Sequence, residues 1–188
     1  MTSAERYDWA DAAPEATLAV VAKALSTAEA LLSRLGTVHA RGQMTFAQAL
    51  ELQDTLYDDG TFDTRAVIQA DRLPGDGGDW WATVEPNGFR ASTVVTLSAL
   101  AAESPAASVF WNVNADMSVL KLDQGHIVAQ FDPLLDVHEV PEEGRDLPFG
   151  VEEPRAAALA LLERWTGVFI TQEWLRGTKA TFIVETPA

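Results

Sequence analysis

The stretch Ala107-Ser108-Val109-Phe110-Trp111-Asn112-Val113-Asn114-Ala115 runs on through Met117 to Leu122, turns, and returns as His126 to Asp132; its reading decides the fold. β-Branched and aromatic residues dominate it, and Asp123-Gln124-Gly125 supplies turn chemistry. It therefore predicts three antiparallel strands: Ala107 to Asn114, Ser118 to Leu122 and His126 to Phe131. Alternation along the first strand puts Asn112 and Asn114 on one side and Trp111 and Val113 on the other. Such a strand offers a surface able to bind something.

Upstream, Arg65 to Leu73 and Trp80 to Glu85 read as a hairpin around the Pro74-Gly75-Asp76-Gly77-Gly78 turn. Trp80 and Trp81 must face opposite ways in a strand, and so must Phe110 and Trp111. One of each pair meets a helix layer and the other meets solvent, a loop or a partner. Pro86-Asn87-Gly88 is a sharp turn, after which Ser92 or Thr93 can cap a helix to Ala102. Nearer the N-terminus, Pro14 to Leu25 reads as a helix, with Leu18, Val21, Ala22 and Leu25 in phase. Ser26-Thr27-Ala28-Glu29 has capping-box spacing for a second helix that stops at Gly36. A connection carrying His39 and Arg41 follows. Thr45-Phe46-Ala47-Gln48 then caps a helix toward Tyr57.

Residues 132–153 hold eight acids against the single base Arg145, with prolines at 133, 141 and 148, and so read as an exposed, mobile acidic surface loop. Glu152-Glu153-Pro154 opens a helix to Trp165, its acids placed favourably for the helix dipole. Thr171 caps a final turn through Leu175, and Thr181 to Glu185 closes the chain as a strand.

Composition narrows the function. The 188 residues are 47% hydrophobic, enough for a sizeable core and consistent with one domain over 1–188. With 28 acids, 13 Lys and Arg and a formal charge of −15, the chain lacks the basic footprint that phosphate-backbone binding needs, so no nucleic acid is expected. The absence of cysteine removes disulfides, thiolate catalysis and iron–sulfur clusters. No apolar run reaches the ~20 residues of a membrane helix. The mixed-charge start of the chain does not resemble a secretory signal, and a cytoplasmic location is expected.

Catalytic motifs fail on inspection. His39, His126 and His138 stand in unrelated contexts without a Gly-x-Ser-x-Gly elbow. His138-Glu139 lacks the second helical His of a zinc protease, so no metal is expected. Tyr57-Asp58-Asp59-Gly60-Thr61 has the outline of an Asp-x-Asp-Gly-Thr phosphotransfer loop, but Tyr57 stands where the attacking carboxylate belongs. The Gly75-Asp76-Gly77-Gly78 loop has no Lys to cradle phosphate, and no cofactor is expected. The candidate binding residues are Glu85, Asn87, Arg90, Trp111, Asn112 and Asn114, a set of amides, carboxylate and guanidinium suited to a polar ligand or a partner's backbone. Turn chemistry explains the same residues structurally.

At Val84-Glu85-Pro86-Asn87-Gly88-Phe89, Ser108 to Ala115 and Phe131-Asp132-Pro133-Leu134, the chain resembles an uncharacterised actinobacterial domain-of-unknown-function family. The likeness runs over most of residues 15 to 176, including Leu162 to Val168, Thr171 and Leu175. Trp111 departs from it, standing where the family commonly carries Arg. The family implies a fold and no activity.

These readings converge on an α+β domain: an antiparallel sheet of about five or six strands with helices packed mainly on one side. The function expected is that of a non-enzymatic cytoplasmic protein-interaction or regulatory module; the alternative is a small-molecule-binding protein or enzyme using the polar cluster. The partner expected is a protein, and a homo-oligomer is compatible with the sequence.

Overall fold

A computed structural model describes residues 4–22, 25–150 and 153–186. Eight strands form a single antiparallel sheet: β1 (Ala16–Ala22), β2 (Thr37–Met44), β3 (Arg65–Gly75), β4 (Gly78–Pro86), β5 (Ala106–Trp111), β6 (Met117–Asp123), β7 (His126–Phe131) and β8 (Lys179–Glu185), in the order β2-β8-β3-β4-β1-β5-β6-β7. The β3–β4 hairpin and the β5–β6–β7 meander agree with the sequence reading. In the second meander turn, Gln124 and Gly125 take positive φ values of 48° and 76°, which the Gly tolerates freely.

The eight strands exceed the five or six expected, and two of them lie where the sequence reads no strand. Residues 14–25 do not form a helix: Ala16–Ala22 is the strand β1, and residues 23 and 24 lie outside the described residues. β1 sits between β4 and β5 with its apolar residues buried on both faces, so it shows no alternation. The connection carrying His39 and Arg41 is β2, an edge strand paired only with β8.

Helices cover both faces of this sheet rather than mainly one. On the first face a ladder of paired residues, Gln69–Val84–Leu18–Val109–Val119–Phe131, crosses the sheet. Most of it joins the core formed with α4 (Pro154–Thr166) and the 3-10 helix Glu5–Ala12. α2 (Phe46–Asp58) covers Val67 and Ile183 beside it, and its Thr45–Gln48 capping box is formed as expected. On the opposite face, α1 (Ala28–Leu32) and α3 (Val94–Ala101) pack over Val21, Ile68, Trp81, Leu120 and Phe182. Thr27 rather than Ser26 caps α1, its hydroxyl oxygen accepting from the Ala30 amide at 3.1 Å. The two covered faces resolve the Trp80–Trp81 problem: Trp80 enters one core and Trp81 the other.

Both open edges carry bulges. On β2, Arg41 is the extra residue between Ala40 and Gly42; on β7, Val128 is the extra residue between Ile127 and Ala129. The segment after β7 is irregular, as expected, but it is anchored. Val140, Gly144 and Leu147 are buried, and Asp146 pairs with Arg164 of α4. Thr171 caps α5 (Gln172–Arg176), and Lys179 closes that helix by donating to the carbonyls of Trp174, Leu175 and Gly177 at 2.6–3.0 Å. No described helix is long and apolar enough to cross a membrane.

Candidate functional site

Sheet register brings the candidate residues to one end of the molecule. Ala16, which opens β1, pairs with Pro86 on one side and Trp111 on the other, so the turns that follow β4 and β5 flank the same strand end. Glu15 fastens both. Its carbonyl accepts from the Asn87 amide at 3.0 Å, and its carboxylate accepts from the Val113 amide at 3.2 Å. Nothing local in the sequence singles out Glu15.

The first turn is built on a buried charge. Glu85 is 3% exposed, and it accepts from the Arg90 main-chain amide at 3.0 Å and from Arg90 Nη1 at 3.1 Å. Arg90 Nη2 donates to the carbonyls of Arg65, at 2.8 Å, and Phe62. Burial pushes the Glu85 carboxyl above its ordinary range, and Arg90 opposes that shift. Asn87 adopts φ 49°, and its carbonyl accepts from the Tyr57 hydroxyl at 2.9 Å. Gly88 is required by contact: a Cβ there would lie 2.3 Å from the Glu85 side chain. The Gly88 carbonyl accepts from the buried Thr17 hydroxyl at 2.5 Å.

The second turn is exposed. β5 ends at Trp111, so Asn112 and Asn114 do not share a strand face. The Asn112 side-chain oxygen accepts from the amides of Asn114 and Asp116, each at 2.9 Å, and its amide group donates to the Asp116 carboxylate at 2.8 Å. Only the main chain of Asn114 takes part; its side chain is exposed, as is Val113 at 82%. Trp111 is fully buried, its indole N–H donating to the Pro14 carbonyl at 2.9 Å. Arg155 of α4 stands over that ring with its guanidinium carbon 5.9 Å from the centroid, and donates to the carbonyls of Asp11 and Ala13 at 3.1 and 3.2 Å. Arg155 had no sequence signal, since it reads as one more charge on a helix.

The structure thus brings all six candidates to one sheet end but engages most of their polar groups within the fold. Among the described residues, no three His, Asp or Glu side chains converge to hold a metal ion. Open space adjoins Arg90. A cleft of about 260 Å³ separates the end of α1 from α3, with Ala66, Ile68 and Val184 of β3 and β8 in its lining, and a second of similar size adjoins it at Arg90, Thr96 and Thr186. Exposed apolar side chains also occur on β7, where Ile127 and Val128 are each about half exposed, and in the loop after it, at Leu135 and Val137.

No curated protein and no solved structure matches the chain. A family model does, over residues 1–143, a span that holds all three turn and strand motifs but stops before α4 and the residues 162–175. By that match, the chain belongs to the family of unknown function DUF6461.

Proposed function

We propose that the chain is a non-enzymatic, cytoplasmic protein-interaction or regulatory module that docks a partner along the β7 edge. The observation that carries this reading is the pairing state of β7. Among the described residues it pairs with β6 alone, and it carries Ile127 and Val128, 52% and 54% exposed. Beyond the bulge at Val128, an edge strand with outward main-chain groups and apolar side chains is a template for an incoming extended segment. The loop that follows supplies acids at Asp132, Asp136, Glu139, Glu142 and Glu143, so the complementary partner segment alternates apolar and basic residues. The alternative, a ligand or a reaction at the Glu85–Asn112 end, would have to recruit groups already engaged in holding the two turns.

Affinity capture from native lysate, with an Ile127→Asp/Val128→Asp double variant beside the wild type, tests this. The variant is expected to keep its unfolding midpoint and lose the captured protein, while the wild-type complex protects the β7 amides from hydrogen exchange. Retention of the same protein by the variant, with β7 unprotected, would remove the edge as the docking surface.

A further inference from the structure

The cleft between α1 and α3 is chemically unlike the rest of this acidic molecule. Among the described residues its lining holds two arginines, Arg34 and Arg90, and no acid. Arg90 is neutralised by Glu85 at 3.1 Å. Arg34 is not: its Nη1 donates to the Leu100 carbonyl, and it has no carboxylate partner among the described residues. The cleft therefore carries the net field of one unpaired guanidinium in a chain with 28 acids and 13 Lys and Arg.

Its position is held firmly. Arg34 follows α1, and Gly36 then passes so close to β8 that a Cβ would lie 2.1 Å from the Glu185 carbonyl oxygen. Opposite, Thr96 and Ala99 of α3 form the other wall, with Ala66, Ile68 and Val184 beneath. Small residues at 66 and 99 keep the space open. At about 260 Å³ the cleft falls just below the range of drug-sized pockets, and so suits a small ligand with an apolar body.

The geometry points to a binding site for a small aliphatic carboxylate, its carboxylate on Arg34 and its hydrocarbon body over Ala66, Ile68 and Val184. A guanidinium offers two parallel donors to a carboxylate, and an apolar floor gives the chain a place out of water. The site is separate from the β7 edge and does not depend on how that edge is used.

Calorimetric titration with sodium octanoate tests the assignment, with 1-octanol as the uncharged control. Octanoate is expected to bind saturably at one site, and 1-octanol about tenfold or more weakly, the ratio a charge-assisted hydrogen bond gives. Arg34→Gln should weaken octanoate by the same factor and leave 1-octanol unchanged. Because Arg34→Gln also removes a bond to Leu100, Val95→Asp provides a second arm: Val95 lines the cleft yet is 81% exposed, so the substitution spares the fold while placing a repelling charge there. It too should weaken octanoate selectively. Equal affinity for the two probes, unchanged octanoate binding in a folded Arg34→Gln or Val95→Asp variant, or no saturable binding in the millimolar range would each overturn the assignment.

Discussion

The two turns at the start of β1 look alike in sequence, each a short polar run carrying asparagine, yet they differ in what they cost to disturb. The turn after β4 encloses a buried carboxylate, and every nearby group is arranged around it: Arg90 above it, Gly88 shaped to clear it, Thr17 and Tyr57 tying its main chain. The turn after β5 is held in solvent, mainly by the Asn112 side chain within it and by the Glu15 carboxylate on the Val113 amide. Charge burial makes a turn part of the core, while self-capping alone leaves it a surface feature.

Glu85→Ala should expose the contrast most sharply. Removing one member of a buried pair strands the Arg90 guanidinium, and a loss of about 3–5 kcal/mol is expected in chemical denaturation. A loss no larger than that of a surface substitution would place Glu85 in water and erase the distinction between the turns.

Alkaline pH probes the same turn. Burial first, then the neighbouring Glu85 and Glu15, raises the Tyr57 hydroxyl above its ordinary value. The folded chain thus holds this proton more tightly than the unfolded one, and stability is fully present below about pH 10 and falls as pH climbs past that value. Tyr57→Phe should lower stability by about 1 kcal/mol at neutral pH and flatten part of the alkaline decline. An identical pH slope in wild type and variant would show that the Tyr57 proton is not linked to folding. Tyr7, fully buried and donating to Glu163 at 2.9 Å, is raised for the same first reason and contributes to the decline in the same sense.

At the second turn, the two asparagines should separate. Asn112→Ala removes the acceptor for two amides and is expected to cost about 1 kcal/mol, moderated by solvent access. Asn114→Ala should stay within about 0.5 kcal/mol, because its side chain is exposed and makes no bond in the turn. Equal midpoint shifts would mean that the strand continues beyond Trp111 and presents both residues alike.

The readable parts of the chain were those with local causes. The Thr45–Gln48 box, the Thr93 and Thr171 caps and the Asp123-Gln124-Gly125 turn each act over a few residues, and each is in place. β1 reads as a helix because a strand buried on both faces produces the same continuous apolar run as a buried helix. β2 gives no strand signal for the opposite reason: it is exposed nearly throughout, and its pairing with β8 makes it a strand. The second helix layer rests partly on these two strands, α1 against β2 and α3 against β1 as well as β5 and β6. At the site, the turn carrying Glu85, Asn87 and Arg90 was legible from spacing. Glu15, Arg34 and Arg155 act across the sheet or between elements far apart in sequence, where no local pattern marks them.

The strand order also governs how the molecule can be made. β1 leaves the ribosome before either of its neighbours, β4 (residues 78–86) and β5 (residues 106–111), and β8 must then enter between β2 and β3. A nascent chain therefore carries an unpartnered apolar segment through much of translation, and one half of the sheet stays incomplete until β8 is free of the exit tunnel. Slow closure of such non-local pairings favours chaperone engagement during synthesis, and makes the rate of elongation, as much as the strength of the finished core, a determinant of how much protein reaches its native form.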